Sequence, residues 1–324
     1  MTVGSLFAGI GGIELGFIQN GFEILWANEI DKNAVITYKE NFNHKLYHQD
    51  IKTLNEKEVE KVDIITAGFP CQAFSIAGYQ KGFCDERGNL FFEILRFIDA
   101  VEPSVIFLEN VKNLKSHDKG NTYKVIKESL EERGYYLKDA ILNSCDYGVP
   151  QNRERIYIVG FKDKKAYEAF SFPKPIPLKK GIRDLLEEEV DDSFYYNKNK
   201  YYETLKATMT NKDTLYQLRR VYVRENKSNL CPTLTANMGT GGHNVPLVLD
   251  DKDIRKLTPK ECSRFQGYPE NFKFPNIAKS HLYKQIGNSV TVNVISAIAK
   301  EIKKALECAD ILKNLKNVAI KRSA

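Results

Sequence analysis

The strongest candidate nucleophile in this sequence is Cys71, which stands in the turn Gly68-Phe69-Pro70-Cys71-Gln72. Pro70 fixes the backbone just before the cysteine, and Gly68 leaves the cysteine exposed. A cysteine is nucleophilic only as its thiolate, so the chemistry would be covalent catalysis. A lone cysteine is more often a buried and unreactive thiol. Which of these two interpretations is correct depends on the residues that share a site with Cys71.

One carboxyl group and two guanidinium groups are candidate partners of Cys71. Glu109 opens the triplet Glu109-Asn110-Val111 at the end of an apolar run, and Arg153 and Arg155 lie just before another such run. If both runs are strands of one sheet, these side chains share a rim with Cys71. A structural ion pair is the alternative interpretation of Glu109 and the arginines.

A second group of residues is typical of a nucleotide-like ligand. The turn Phe7-Ala8-Gly9-Ile10-Gly11-Gly12 follows an apolar run, and glycines there allow a ligand to approach the backbone closely. Glu29 and Asp50 end the next two runs, where one carboxylate could accept hydrogen bonds from ribose hydroxyls and the other from an adenine amino group. A glycine turn can also be purely structural, and an isolated carboxylate more often caps a helix.

All these residues follow short apolar runs that alternate with helical patterns, which is typical of a parallel sheet covered on both faces. The predicted strands are Val3 to Phe7, Glu23 to Asn28, Lys45 to His48, Val62 to Ala67, Ser104 to Glu109, Leu137 to Leu142 and Arg155 to Gly160. The sequence therefore predicts an α/β fold with a doubly wound, mostly parallel sheet. After Phe161 the chain becomes polar, and helical periodicity returns only at Pro259 to Gln266 and Val292 to Leu306.

Composition limits the class of protein. With 324 residues, of which 42% are hydrophobic, the chain can bury a large core. The net charge of +6 is modest, but residues 198–227 hold eight Lys or Arg against three Asp or Glu. Such a run is either a solvated face or a surface that contacts phosphates. The six cysteines include no Cys-x-x-Cys pair, and no His cluster has zinc-ligand spacing, so neither a disulfide framework nor a metal site is expected.

Taken in order, the motifs resemble those of bacterial cytosine-C5 DNA methyltransferases of the restriction-modification type. The matching segments are Phe-x-Gly-x-Gly-Gly at residues 7–12, Pro70-Cys71-Gln72, Glu109-Asn110-Val111, Gln-x-Arg-x-Arg at 151–155, Arg255 to Pro269 and Gly287-Asn288-Ser289. The resemblance covers nearly the whole chain. It implies a Rossmann-like domain that uses S-adenosylmethionine, formed by residues 1–174 and 281–324, and a smaller target-recognition domain at 175–280.

The resemblance also implies catalytic roles. Cys71 would attack carbon 6 of a cytosine, and Glu109 would hydrogen-bond N3 and the amino group of the base. Arg155 would contact the base carbonyl, and Arg153 would support the site. Carbon 5 is a poor nucleophile until a thiolate adds beside it, and that addition needs a proton or hydrogen-bond donor at N3. The base that removes the carbon 5 proton is not identified and could be water.

Cofactor contacts are carried over position by position from the resemblance. They would come from Phe7, Gly9, Gly11, Glu29, Ile30, Asp50, Ile51, Pro70, Leu90, Asn288 and Ser289. Relatives often place an aromatic residue where Ile30 stands. Adenine is therefore expected to pack on an aliphatic face, with weaker or differently balanced cofactor binding.

Double-stranded DNA is the partner that the resemblance implies, and the target cytosine must leave the base stack to be reached. The loop at residues 73–88 is expected to close over the DNA. Candidate DNA contacts are Ser75, Arg87, Arg219, Arg220, Arg224 and Thr233, because a guanidinium can bind phosphate or the O6 and N7 atoms of guanine. The protein is expected to be cytoplasmic and monomeric, without a membrane segment.

Three other functions agree less well with these motifs. An NAD-dependent oxidoreductase would share the sheet but would not explain Pro70-Cys71, the Glu-Asn-Val triplet and the two arginines. A tRNA cytosine methyltransferase has the same chemistry, but the long segment between Phe161 and Arg255 favours a DNA-reading domain. A catalytically inert DNA-binding protein is disfavoured because Cys71, Glu109 and Arg155 are all intact.

Overall fold

A computed structural model describes residues 1–70, 90–219, 222–226, 228–238 and 245–322, with side chains described to residue 310. The main strands are β1 (Thr2–Leu6), β2 (Glu23–Glu29), β3 (Lys45–His48), β4 (Ile64–Gly68), β5 (Val105–Val111), β6 (Tyr136–Asn143) and β8 (Glu154–Phe161). Each of the seven predicted strands is present. They form one sheet in the order β3-β2-β1-β4-β5-β8-β6.

Strands β3, β2, β1, β4 and β5 pair in parallel, whereas β8 runs antiparallel to both β5 and β6. The carboxyl ends of the parallel strands therefore meet at one edge, and the amino end of β8 joins them there. This register sets Gly68 opposite Glu109 and Val111 opposite Arg155. The predicted α/β fold with a mostly parallel sheet is confirmed.

Both faces of the sheet are covered, as its apolar strands require. Successive residues of β5 point to opposite sides, so Ile106 and Leu108 join one core cluster while Val105 and Phe107 join another. Helices α1 (Gly12–Ile18), α5 (Lys164–Ala169) and α9 (Val292–Arg322) cover the Phe107 side. Helices α3 (Leu90–Val101) and α4 (Asn121–Glu131) cover the other side.

The C-terminal helix α9 packs against α1 and α5. Its predicted apolar repeat faces the core, with Val294, Ile298 and Ile302 fully buried and Leu306 partly buried. A Cβ on Gly16 of α1 would lie 2.6 Å from the Cβ of Ile295, so the two helices approach within contact of the backbone. Over the described residues, no helix has both the length and the apolar character needed to cross a membrane.

The segment after Phe161 holds a second, four-stranded sheet in the order β10-β9-β12-β13. Its strands are β9 (Tyr216–Leu218), β10 (Val223–Glu225), β12 (Leu247–Leu249) and β13 (Ile254–Lys256). A separate short pair, β7 (Gln151–Asn152) with β11 (Cys231–Pro232), ties this segment to the amino end of β8.

Helix α2 (Lys32–Lys39) follows β2, and α7 (Pro259–Arg264) corresponds to the helix predicted at Pro259 to Gln266. The helical periodicity after Phe161 predicted helices at only two places, and that prediction is wrong. Helices α5, α6 (Tyr202–Thr208) and α8 (Lys279–Asn288) also form. Helices α5 and α6 are too short for a repeat to be visible, and α8 mixes polar and small residues into its buried face, which includes Gln285 and Gly287.

Candidate active site

A cleft of about 480 Å³ opens at the carboxyl edge of the main sheet. Ten of the residues singled out in the sequence line it: Phe7, Gly9, Glu29, Ile30, Pro70, Glu109, Arg153, Arg155, Asn288 and Ser289. Gly11, Asp50, Ile51 and Leu90 are not among the lining residues. Cys71, Ser75, Arg87 and Arg220 lie outside the described residues. The structure therefore brings the residues around Glu29 and the residues around Glu109 to one cleft. The first set is Phe7, Gly9, Glu29 and Ile30, and the second is Glu109, Arg153 and Arg155.

The turn after β1 forms one end of the cleft. Phe7 and Gly9 both have left-handed backbones, with φ of 57° and 59°. Such a conformation costs a residue other than glycine about 1–2 kcal/mol, so Phe7 is held in place by its surroundings. A Cβ at Gly12 would lie 2.7 Å from both the Oγ of Ser289 and the Oη of Tyr268. Glycine is therefore needed there for the turn to reach the Ser289 segment.

Glu29 is fixed by backbone donors at the same end. Its Oε2 accepts from the Gly9 amide at 2.7 Å, and its Oε1 accepts from the amides of Ile30 and Asp31 at 2.8 and 2.7 Å. The carboxylate thus ties the glycine turn to the end of β2. The next residue, Ile30, lines the cleft with 59% of its surface exposed, which leaves an apolar face available to a ligand.

Asp50 and Ile51 lie just after β3. The Oδ1 of Asp50 accepts a hydrogen bond from the amide of Lys52 at 3.0 Å, and Ile51 is buried in the core. Leu90 is the first residue of α3 and directly follows a segment outside the described residues. The predicted cofactor roles of these three residues remain predictions.

Glu109 and Arg155 form the polar centre of the other end. The Nε of Arg155 lies 3.2 Å from the Oε1 of Glu109, and both side chains are largely buried. Burial raises the pKa of the Glu109 carboxyl above its ordinary value, although the positive charges of Arg155 and Arg153 act in the opposite direction. The site therefore favours a carboxyl group that can hold a proton, which a simple surface ion pair would not.

Arg153 is buried and connects distant segments of the chain by hydrogen bonds. Its guanidinium donates to the carbonyls of Leu234 at 2.8 Å and Gly287 at 3.3 Å, and also to the carbonyl of Ser289. Burial, with the neighbouring charge of Arg155, lowers the pKa of Arg153 to about 9, so it stays charged at neutral pH. This agrees with the predicted supporting role, because its described partners are main-chain carbonyls.

The Thr233-Leu234 segment is held against the 151–153 segment. The Oε1 of Gln151 accepts from the Leu234 amide at 3.0 Å, and the Oγ1 of Thr233 donates to the Asn152 carbonyl at 2.7 Å. A Cβ at Gly287 would lie 2.2 Å from the carbonyl carbon and oxygen of Thr235. These contacts hold three parts of the chain together behind Arg153 and Gly287, which line the cleft.

Asn110 is a site residue that the sequence reasoning passed over, although it stands in the Glu-Asn-Val triplet. Its Nδ2 donates to the carbonyl of Phe69 at 2.9 Å, and it is almost fully buried. Strand β5 thereby fixes the backbone that leads into Pro70 and Cys71. The signal in the sequence was the position of Asn110 beside Glu109 at the end of a strand.

Two candidate DNA-binding arginines, Arg219 and Arg224, lie in the described part of the smaller sheet region. Arg219 follows β9 and donates to the Oε1 of Gln217 at 3.0 Å, and Arg224 is exposed on β10. Neither residue lines the cleft. Among the side chains that the structure describes, no group of His, Cys, Asp and Glu could hold a metal ion.

The residues present fit S-adenosylmethionine by four observations. The glycine turn leaves room for close approach, Glu29 presents a fixed carboxylate, and Ile30 offers an apolar face. The fourth is the Nε2 of Gln285, a buried donor in the cleft wall that has no partner among the described residues.

Comparison with known proteins identifies close relatives. A family model described as C-5 cytosine-specific DNA methylase matches residues 1–304. The chain is 58% identical over 313 residues to the Type II methyltransferase M.Bsp6I of Bacillus sp. (strain RFL6), covering 94% of this chain and 99% of that protein. It is 41% identical over 316 residues to the Type II methyltransferase M.HhaI of Haemophilus parahaemolyticus, covering 93% and 94%.

Two solved structures share the fold. The S. pombe Dnmt2 methyltransferase matches with a TM-score of 0.75 at 22% identity, covering 94% of this chain and 99% of that chain. The Entamoeba histolytica methyltransferase EhMeth matches with a TM-score of 0.68 at 18% identity, covering 94% and 98%. At these identities the likeness concerns the fold alone.

Proposed function

Because this chain belongs to the C-5 cytosine-specific DNA methylase family, and is a DNA cytosine-5 methyltransferase, we propose that its cleft holds S-adenosylmethionine beside a cytosine swung out of duplex DNA. The observation that carries the proposal is the buried carboxyl of Glu109. It shares one cleft with the glycine turn and Glu29, and its pKa is raised. When bound, the cofactor supplies a methyl group on a sulfonium sulfur.

A protonated Glu109 matches cytosine on two atoms. The neutral carboxyl presents one donor and one acceptor side by side, and cytosine presents the N3 acceptor beside the amino donor. Uracil and thymine carry a hydrogen on N3, so their N3 atom cannot accept the Glu109 proton. The same hydrogen bond to N3 absorbs the charge that develops when a nucleophile adds to the ring.

Cys71 is proposed, from the sequence, as that nucleophile. Its thiolate would form a bond to carbon 6, and the electron pair of the carbon 5–carbon 6 double bond would then be available at carbon 5 while N3 takes the Glu109 proton. After methylation, loss of the carbon 5 proton to a base would re-form the double bond and release the thiolate, and N3 would return its proton to Glu109. Asn110, through Phe69, would position the segment that carries Cys71.

Arg155 and Arg153 would act differently. The Nε of Arg155 lies 3.2 Å from Glu109 and Arg155 lines the cleft, which supports a contact with the carbonyl of the base. Arg153 donates from its two terminal nitrogens to main-chain carbonyls and would act by holding Leu234 and Ser289 in position. At the cofactor end, Phe7, Gly9, Glu29, Ile30, Asn288 and Ser289 would contact S-adenosylmethionine.

Residues 175–280 are proposed as the target-recognition domain, with residues 1–174 and 281–324 as the catalytic domain. Arg224 is exposed, and a guanidinium on a surface strand can neutralise a phosphate or read guanine. Arg219, Arg220 and Thr233 are proposed beside it, and Ser75 and Arg87 in the loop after Cys71. Since the relatives are named Type II methyltransferases, we also propose a place in a restriction-modification system.

The test uses tritiated S-adenosylmethionine, mixed-sequence duplex DNA and total tRNA, followed by bisulfite mapping of the labelled DNA. Label at carbon 5 of cytosine within one short recurring sequence is expected. Cys71→Ser should abolish transfer, whereas Cys145→Ser, a half-buried cysteine that does not line the cleft, should retain it. Label that enters only the tRNA, or full activity of the Cys71→Ser variant, would overturn the proposal.

A further inference from the structure

One wall of the cleft is formed by helix α8, which is fastened to α2 by polar contacts. The Nζ of Lys284 lies 2.7 Å from the Oδ2 of Asp31, the residue before α2. The side chain of Asn41, two residues after α2, exchanges two 2.8 Å hydrogen bonds with the backbone of Lys273 in the segment before α8. Asp31 directly follows Glu29 and Ile30, so the part of this wall that carries Lys284 and Gln285 adjoins the Glu29 end of the cleft, while Gly287, farther along α8, accepts from Arg153.

Gln285 carries an unsatisfied amide in this wall. Its side chain is only 6% exposed, and its Oε1 accepts from the Oγ1 of Thr37 at 2.8 Å. Among the described residues, its Nε2 has no hydrogen-bond partner, and the residue lines the cleft. A buried donor without a partner costs about 1–3 kcal/mol, so a donor of this kind in the wall of a cleft indicates a ligand as its partner.

The orientation of the amide can be argued from Thr37. Its single hydroxyl hydrogen can go to Gln285 at 2.8 Å or to the carbonyl of Asn33 at 3.3 Å. The shorter contact favours donation to Gln285, which leaves the N–H group of Gln285 unpaired. Reversing the amide would leave its oxygen unpaired instead. In either orientation, one of the two amide atoms of Gln285, Nε2 or Oε1, has no partner among the described residues.

We propose that Gln285 is a cofactor-positioning residue whose side-chain amide donates a hydrogen bond to the adenosine portion of bound S-adenosylmethionine. The inference rests on the proposed function, because it takes the Glu29 end of the cleft as the cofactor site. The adenosine portion is chosen because Gln285 is bonded to α2, which continues from Glu29 and Ile30. Those two residues offer a carboxylate to a ribose and an apolar face to a purine.

The first measurement is calorimetric binding of S-adenosylhomocysteine and of methylthioadenosine, which lacks the amino-acid group, to the full-length protein. Gln285→Leu should weaken both ligands by about 3- to 10-fold, the effect of one lost neutral hydrogen bond. Asn41→Ala serves as the matched control, because it loosens the same wall without lining the cleft. It should weaken the two ligands much less.

A second measurement separates contact from structure. In the ligand-free protein, Gln285→Leu should unfold at nearly the wild-type temperature, because it removes the unpaired N–H group and the Thr37 hydroxyl can still donate to the carbonyl of Asn33. The rise in melting temperature on adding S-adenosylhomocysteine should shrink. Should Gln285→Leu fail to fold, Gln285→Glu keeps an oxygen for Thr37 and removes the donor, and it should weaken both ligands as well.

The outcomes are distinguishable. Equal losses for both ligands support the proposal. A loss for S-adenosylhomocysteine alone places the contact at the amino-acid group and overturns the adenosine assignment. Wild-type affinity in both Gln285 variants overturns the inference entirely. If the wild-type protein itself binds neither ligand, the proposed function of the cleft fails, which is a separate result.

Discussion

The side-chain amide of Asn110 donates to the main-chain carbonyl of Phe69 at 2.9 Å, and Phe69 stands two residues before Cys71. One residue earlier on the same strand, Glu109 presents its carboxyl to the cleft. Strand β5 therefore carries two functions on adjacent residues. One side chain faces the proposed substrate, and the other fixes the backbone that delivers the proposed nucleophile.

Asn110→Ala should lower kcat more than it raises KM for DNA, because it frees the segment that leads to Cys71. The variant also leaves a buried carbonyl without its donor, which costs about 1–3 kcal/mol of stability. Steady-state methyl transfer and urea unfolding check the two effects. Asn20→Ala is the control, since its amide also bonds carbonyl groups, those of Gly16 and Ser296, away from the cleft. A kcat loss no larger than that of the control would show that Asn110 is only structural.

Glu109→Gln should lower kcat by about 10²- to 10⁴-fold, because an amide keeps the hydrogen bonds to cytosine but cannot give up a proton. The wild-type rate should fall as pH rises through the raised pKa of Glu109, since the protonated form is the active one. The variant should lose this alkaline limb while binding DNA normally. Glu154→Gln, which breaks an exposed pair with Lys112, is the matched control. An unchanged alkaline limb in Glu109→Gln would assign that limb to another group.

Glu14 should make the protein less stable as pH rises. It has no exposed surface, and burial raises its pKa to about 7 from 4.5, although hydrogen bonds with its own backbone, Ser5 and Tyr38 act in the opposite direction. The folded state therefore binds the proton more tightly than the unfolded state. Stabilisation is complete below about pH 4.5 and is lost as pH rises to 7, by on the order of 3 kcal/mol.

Glu14→Gln should remove this loss, so its advantage in urea unfolding over the wild-type protein should grow between pH 5 and 8. The stability of the wild-type protein alone would also contain the effect of His44, because burial lowers the pKa of His44 to about 4 and gives the opposite slope at acid pH. Subtracting the profile of the wild-type protein from that of Glu14→Gln removes this shared contribution. The nearby Glu29 raises the pKa of Glu14 further, so Glu29 must be left intact. Parallel pH profiles for the two proteins would contradict the assignment.

Gly287→Ala should destabilise the protein by about 1–3 kcal/mol or more, because the new Cβ would lie 2.2 Å from the Thr235 backbone. Affinity for S-adenosylhomocysteine should fall as well, since Asn288 and Ser289 follow directly. Gly181→Ala is the control, because its Cβ would lie 3.8 Å from the nearest atom, the Oδ2 of Asp184. Thermal unfolding and calorimetry check both variants, and equal behaviour of the two would refute the close approach.

The sequence predicted the main sheet well because its central strands, β1, β4 and β5, are apolar runs buried on both faces. The positions of the rim residues followed from the sheet, since Glu29 ends β2 and Glu109 lies two residues before the end of β5. Gln285 and Asn110 could not be assigned in the same way. Their roles depend on Thr37 and Phe69, partners 248 and 41 residues away, and no local pattern encodes such contacts.

The smaller sheet was missed for a different reason. Strands β9, β10, β12 and β13 have three residues each, too few for alternation to be recognised. Their core is shared with distant elements. Leu215 lies just before β9 and Val248 lies in β12. Both belong to the same buried cluster as Ala27 and Tyr38 of the first domain.

The contact between Gly12 and Ser289 also bears on how the protein is made. During synthesis the glycine turn leaves the ribosome before the residue that completes its wall, which lies 277 positions later, from 289 minus 12. At roughly 5–20 residues per second, the nascent chain carries an open half-cleft for about 14–55 seconds. The segment around Gly12 cannot form this wall alone, so the site is completed only after Ser289 has been added to the chain.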